Sequence, residues 1–203
     1  MNRRQHWERV YREKKATQVS WYAPHLELSI SMIRAVADPA AEIIDIGGGA
    51  STLVDDLLAA GYTGVSVLDV SEAALGVAKQ RLGESAARVN WIAGDVTSVN
   101  LPRESYVVWH DRAVFHFLTE PADRRAYLDR AAESLKPGGH MILATFSLEG
   151  PTRCSGLDVV RYNAESLSRE LGRRFALRQQ SPDVHRTPAG VDQHLIYCSF
   201  ERI

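Results

Sequence analysis

Two periods of apolar and polar residues run through this chain of 203 residues. The first is helical. Leu26, Ile30 and Ile33 share one face at spacings of three and four, and Pro24 can open that helix. The second is the short, nearly unbroken apolar run of a strand buried on both faces, as at Val65–Leu68. From about residue 40 the two alternate. Strands are expected at Glu42–Ile46, Val65–Leu68, Val89–Ala93, Tyr106–His110 and Met141–Phe146, with two more near Phe175–Arg178 and His194–Phe200. Helices are expected at Ser51–Ala60, stopped by Gly61, and from a Ser71 cap to about Leu82. Two more are expected from Pro121 to near Leu135 and over Ala164–Leu171. Lys136-Pro137-Gly138-Gly139 is a stop signal.

Strand–helix alternation with short links argues a mostly parallel sheet with helices on both faces. The last two strands have little between them and are expected as an antiparallel pair at one edge. Ligands in open α/β sheets bind outside the carboxyl ends of the strands, so the residues that follow each strand matter most.

After the first strand comes Gly47-Gly48-Gly49, then Ala50-Ser51-Thr52. Glycine lets the backbone turn sharply and approach a ligand, and the following helix is expected to aim its N–H groups at the turn. The second strand ends in Asp69, followed by Val70, 22 residues beyond Gly47. A carboxylate there can accept from both hydroxyls of a ribose, although it can equally cap a helix. The third leads to Gly94-Asp95-Val96, with an acceptor for an amino group and an apolar wall. The fourth ends in His110-Asp111-Arg112.

Composition narrows the field. Twenty-four basic residues against 25 acidic ones give no support to a nucleic-acid or membrane-surface role. No apolar run reaches the length of a membrane span, and the residues around Met1-Asn2-Arg3 lack a signal-peptide core. Two cysteines suggest no disulfide framework. A cytoplasmic single domain over 1–203 is the expectation. Residues 1–39 would form a helical lid, 40–146 the cofactor core and 147–203 the acceptor side.

These residues resemble class I S-adenosylmethionine-dependent methyltransferases. Asp45-Ile46-Gly47-Gly48-Gly49 is similar to their first motif, Asp69 to their acidic second-strand end, Gly94-Asp95-Val96 to their third motif and Leu135–Gly139 to their turn before the fifth strand. The resemblance covers about residues 40 to 146. It departs at Ser51, where a third glycine is usual, and at Tyr106, where an aspartate often opens the strand. The resemblance implies a Rossmann-like fold, a seven-stranded mostly parallel sheet with an antiparallel edge strand. It also implies S-adenosyl-L-methionine as cofactor and S-adenosyl-L-homocysteine as product. Gly47 and Gly49 would line the methionine part, and Asp45 would order the turn or meet the amino group. Asp69 with Val70 would hold the ribose, and Asp95 with Val96 the adenine.

For the chemistry, His110, Asp111 and His116 are candidate bases. His110 is also a cofactor-wall candidate, and packing roles compete for each. Asp111 and Arg112 are expected to form an ion pair. Tyr11 and Trp21 are expected over the sulfonium, since aromatic faces attract cations. Tyr22, His116, Cys154, Tyr162 and His185 are expected in the acceptor pocket, Cys154 also as a possible reactive thiol. No ligand spacing suggests a metal. Asp111-Arg112-Ala113 is similar to a segment of thiol-directed members. Ala50-Ser51-Thr52-Leu53 and the N-terminal aromatics are similar to one protein-lysine group. A small-molecule acceptor is favoured over a protein, because little of the chain lies outside the core. Neither the acceptor atom nor the oligomeric state is specified by these patterns.

Overall fold

The computed structural model describes residues 3–203; Met1 and Asn2, the start of the expected lid and of the leader reading, lie outside the described residues. Seven strands form one sheet: β1 (Glu42–Ile46), β2 (Gly64–Asp69), β3 (Val89–Ala93), β4 (Tyr106–Arg112), β5 (Leu135–Phe146), β6 (Phe175–Arg186) and β7 (Asp192–Arg202). Their spatial order is β3-β2-β1-β4-β5-β7-β6. All pairs from β3 to β5 are parallel, while β7 runs antiparallel to both β5 and β6. The antiparallel strand therefore sits one place in from the edge. Strand order reverses between β1 and β4, the switch point where ligands are expected.

The helices are α1 (Arg3–Glu13), α2 (Glu27–Arg34), α3 (Leu53–Ala59), α4 (Glu72–Leu82), α5 (Pro121–Ser134) and α6 (Ala164–Leu171). Successive strand residues point to opposite faces, so the sheet builds two cores. Ile44, Ile46, Trp109, Met141 and Leu143 pack against α5 and α6. Ile43, Val65, Val67, Val108 and Ile142 pack against α2, α3 and α4. Each such side chain contributes roughly 1.5–3 kcal/mol on burial, so the sheet is the rigid part of the molecule.

Local chemistry sets the ends. The Ser71 hydroxyl accepts from the Ala74 amide at 3.1 Å and caps α4, as expected. Pro121 occupies the first turn of α5. Helix α2 starts at Glu27 rather than at Pro24, and α3 starts at Leu53 rather than Ser51. Lys136–Gly139 is not a free turn: β5 begins at Leu135, and its register against β4 shifts between Tyr106 and Val108. Strand β6 extends eight residues past its expected end, to Arg186. Its polar middle, with Pro182, is tolerated because β6 has a neighbour on one side only. Among the described residues, no helix is long and apolar enough to cross a membrane.

Candidate functional site

The carboxyl ends of β1, β2, β3 and β4 open into one cavity, roofed by α1 and the segment that follows it. Its empty space, counting the part open to solvent, is about 970 Å³. A smaller cavity on the other side of Tyr11, Trp21 and Gly47 is lined by Tyr22, Asp45, Gly48, Ala50 and Ser51. Arg112 borders both.

The glycine turn is conformationally demanding. Gly47 has φ +64° and Gly49 φ +22°, values disfavoured for L side chains. A Cβ at Gly47 would collide with Val114, and one at Gly49 with the Asp69 carboxylate. The backbone therefore passes unusually close to the end of β2. With α3 starting only at Leu53, the turn itself, not a helix terminus, faces the cavity.

The two acids differ in burial. Asp69 is nearly sealed, and its Oδ1 accepts from the Ser71 amide at 2.8 Å. Burial raises its carboxyl from 3.8 to about 7, helped by the charge of Asp45 and opposed by the Ser71 and Val70 amides. Asp95 is more open. Its Oδ1 accepts from the Thr97 amide at 2.9 Å and the Thr97 hydroxyl at 2.7 Å, and Arg3 lies 3.4 Å from its Oδ2. Val70 and Val96 form the apolar wall beside them.

The roof is aromatic. Trp21 Nε1 donates to the Tyr11 hydroxyl at 3.2 Å. Trp7 stands edge-on between Trp21 and Phe117, at 5.7 and 5.1 Å. Trp7 thus lines the cavity with Tyr11 and Trp21. Helix α1 is pinned by ion pairs of Arg3 with Asp123 and Asp95 and of Arg4 with Glu72.

The far end, over β4, β5 and the β6–β7 hairpin, is walled by Phe117, Phe146, Leu195, Cys154, His185, Gln193 and Arg112. Arg112 donates to the Trp21 carbonyl at 2.9 Å and to the Tyr197 hydroxyl at 3.2 Å. The expected Asp111–Arg112 ion pair does not form, because neighbouring strand residues point to opposite faces.

Several expected site residues lie elsewhere. His110 is 1% exposed, with Nδ1 2.7 Å from Asp45 Oδ1 and Nε2 2.9 Å from Ser29 Oγ. It lines neither cavity. Asp111 is sealed in the opposite layer, accepting from the Tyr127 hydroxyl at 2.6 Å and the Val114 amide at 2.8 Å. His116 is fully buried. Its Nδ1 accepts from the Phe146 amide at 3.3 Å, and burial lowers its pKa to about 3. Tyr162 packs into the α5–α6 core beside Phe115. Tyr22 lines the smaller cavity rather than the far end. Cys154 is in place, but burial pushes its thiol up, away from a reactive thiolate. Among the described residues, no cluster of His, Cys, Asp and Glu is arranged to hold a metal.

Sequence reasoning missed Arg3, Arg112, Phe146 and Gln193 as wall residues. Arg112 had a signal in strand alternation, which turns it to the face opposite Asp111. Gln193 had none, since it lies in a polar stretch ahead of the apolar run of β7.

Comparison with known proteins agrees with this geometry. Residues 43–139 match a family described as a methyltransferase domain. The chain is similar to the eEF1A lysine and N-terminal methyltransferase of Mus musculus, 26% identical over 107 residues. That match covers 53% of this chain and 15% of that protein. It is also similar to the ubiquinone/menaquinone biosynthesis C-methyltransferase UbiE of Methylobacterium nodulans, 31% identical over 121 residues. There the match covers 58% of this chain and 47% of the relative. The chain thus spans less than half the length of both relatives. A solved structure of the same fold is the Burkholderia thailandensis 1,6-didemethyltoxoflavin-N1-methyltransferase, with 1,6-didemethyltoxoflavin and S-adenosylhomocysteine bound. It superposes with a TM-score of 0.76 at 19% identity, covering 98% of this chain and 86% of that one.

Proposed function

We propose that this chain is a class I S-adenosylmethionine-dependent methyltransferase that transfers a methyl group to a nucleophilic sulfur, nitrogen or oxygen of a small-molecule acceptor. The observation that carries the acceptor class is the charge at the far end of the cavity. Arg112 stands there among apolar walls, with no carboxylate beside it on the wall. Among the described residues, the acids lining that cavity are Asp69 and Asp95, at the ends of β2 and β3.

The residues present fit the cofactor. Asp45 Oδ2 is a buried carboxylate oxygen without a partner among the described residues, and Asp45 lines the glycine-turn cavity. A buried acceptor of that kind calls for a donor, and a methionine ammonium is one. Gly47 and Gly49 would let the backbone approach the methionine part. Asp69 would accept from the ribose hydroxyls, and Asp95 with Val96 would flank the adenine. When bound, S-adenosylmethionine supplies a methyl group already activated by a sulfonium. The chain's task is then to align the acceptor and exclude water. Trp7, Tyr11 and Trp21 roof the site, and aromatic rings attract positive charge. Phe117, Phe146 and Leu195 shape an apolar slot for the acceptor.

The competing acceptor is a protein lysine, as in the name of the mouse relative. A lysine ammonium would have to approach Arg112. Two unit charges about 4 Å apart repel by about 4 kcal/mol at an effective dielectric constant near 20. That favours an acceptor without positive charge. The test is to add methyl-labelled S-adenosylmethionine and the protein to a cell extract split by size. Label in the small-molecule fraction is the expected result. Label confined to protein contradicts the acceptor class. Label in neither fraction points to a binding module without turnover.

A further inference from the structure

We propose that His185 Nδ1 takes the acceptor's proton during methyl transfer. This rests on the transferase reading above and deepens it. His185 stands near the end of β6, in register with Gln193 of β7. Both line the far end of the cavity with Arg112 and Phe146.

The hydrogen bond of the ring fixes its tautomer. His185 Nε2 lies 2.8 Å from the Ser20 carbonyl oxygen. A carbonyl only accepts, so Nε2 carries the hydrogen. In a neutral imidazole the lone pair then belongs to Nδ1. Among the described residues Nδ1 has no protein partner, and it is not among the nitrogens sealed from solvent. The residue is largely buried, at 8% exposure, and that burial lowers its pKa, with Arg112 lowering it further. The Ser20 bond and Asp183 oppose that shift. Besides Arg112 and Asp183, the titratable group on the nearby wall is the Cys154 thiol, which burial keeps protonated. His185 is therefore neutral at pH 7 and above.

The other candidates lack this combination. Both nitrogens of His110 are engaged, the open nitrogen of His116 is sealed, and Asp111 serves the opposite layer. In the step itself, the acceptor's X–H bond breaks and its proton moves to Nδ1. The freed pair forms the X–C bond while the C–S bond breaks, its pair returning to sulfur. Methylated acceptor and S-adenosylhomocysteine leave, and the imidazolium passes its proton to solvent. The acceptor class this implies carries a removable proton: a thiol, a hydroxyl or a heterocyclic N–H.

Two measurements on one preparation decide it. Long-range ¹H–¹⁵N spectra of histidine-labelled protein at pH 7.5 should show His185 neutral with hydrogen on Nε2. The reverse tautomer, or an imidazolium, overturns the proposal. His185→Gln keeps a donor for the Ser20 carbonyl but has no base. It should transfer label from S-adenosylmethionine to the extract acceptor at least about 100-fold more slowly, with calorimetric cofactor affinity within about twofold. Unchanged transfer overturns the proposal. If His185→Gln misfolds, the wild-type spectra decide alone. If wild-type protein labels neither fraction, the transferase reading fails, and the spectra still show whether Nδ1 is the open, unprotonated nitrogen.

Discussion

Asp45 Oδ1 and His110 Nδ1 lie 2.7 Å apart at adjacent positions of β1 and β4, both sealed from solvent. The contact continues through His110 Nε2 to the Ser29 hydroxyl at 2.9 Å and on to the Tyr197 hydroxyl at 3.3 Å. Tyr197 accepts from Arg112. A polar chain thus links the glycine turn to the far end of the cavity. Its Asp–His–Ser order is that of a nucleophilic triad, but Ser29 is fully buried and lines neither cavity. No acyl group can reach it. The chain holds the elements together instead.

His110→Ala should therefore cost stability. It leaves the Asp45 carboxylate buried without its partner, a loss of about 3–5 kcal/mol. Urea unfolding followed by circular dichroism measures it. A loss below about 1 kcal/mol would contradict the structural role.

Cofactor affinity should depend on pH through Asp69. Its carboxyl titrates near 7 in the free protein, and ribose hydroxyls bond best to the ionised form. Binding then releases a proton below pH 7, so affinity rises with pH and levels off above about 7.5. The same shift acts oppositely on the free fold. A raised carboxyl pKa means the folded state binds the extra proton, so this contribution to stability falls as pH rises from about 4 to about 7. Calorimetric titration at pH 6 to 8.5 should show the rise in wild type and a flat profile in Asp69→Asn.

Gly47→Ala tests the turn. A left-handed backbone costs a non-glycine residue about 1–2 kcal/mol, and the added methyl must displace Val114, itself a cavity-wall residue. A lower melting temperature with weakened cofactor binding is expected. Wild-type affinity would contradict the close approach.

Glu8 holds the roof. Its Oε1 accepts from the Glu72 amide at 2.6 Å and lies 3.4 Å from the Ala73 amide, so α1 caps α4 from outside. Caps are worth about 1 kcal/mol, roughly a factor of five. Glu8→Ala should speed hydrogen exchange in α1 about fivefold while leaving β1 and β4 unchanged. Equal exchange in both proteins would remove Glu8 as the latch.

The parallel sheet and the residues where its strands open into the cavity were legible because they are local patterns. Apolar runs followed by Gly47–Gly49, Asp69 and Gly94-Asp95 mark strand ends without any knowledge of packing. The far end of the cavity was not, because it is assembled from distant pieces. His185 and Gln193 meet only through the β6–β7 register, and the polar stretch Gln179–Pro182 hides half of β6. His110 and Asp111 lie at the carboxyl end of β4, inside the strand, and the layers on its two faces absorb both side chains. Distinguishing a buried polar network from a reactive one needs Ser29 and Tyr127, which no spacing connects to them.

The most direct check of the whole account is calorimetric titration of the protein with S-adenosylmethionine. Saturable binding with a dissociation constant well below millimolar, weakened at least fivefold in Asp69→Ala as a charge-assisted bond is lost, is the expected result. No binding heat up to millimolar cofactor, or equal affinity in the variant, would contradict the assignment of this cavity.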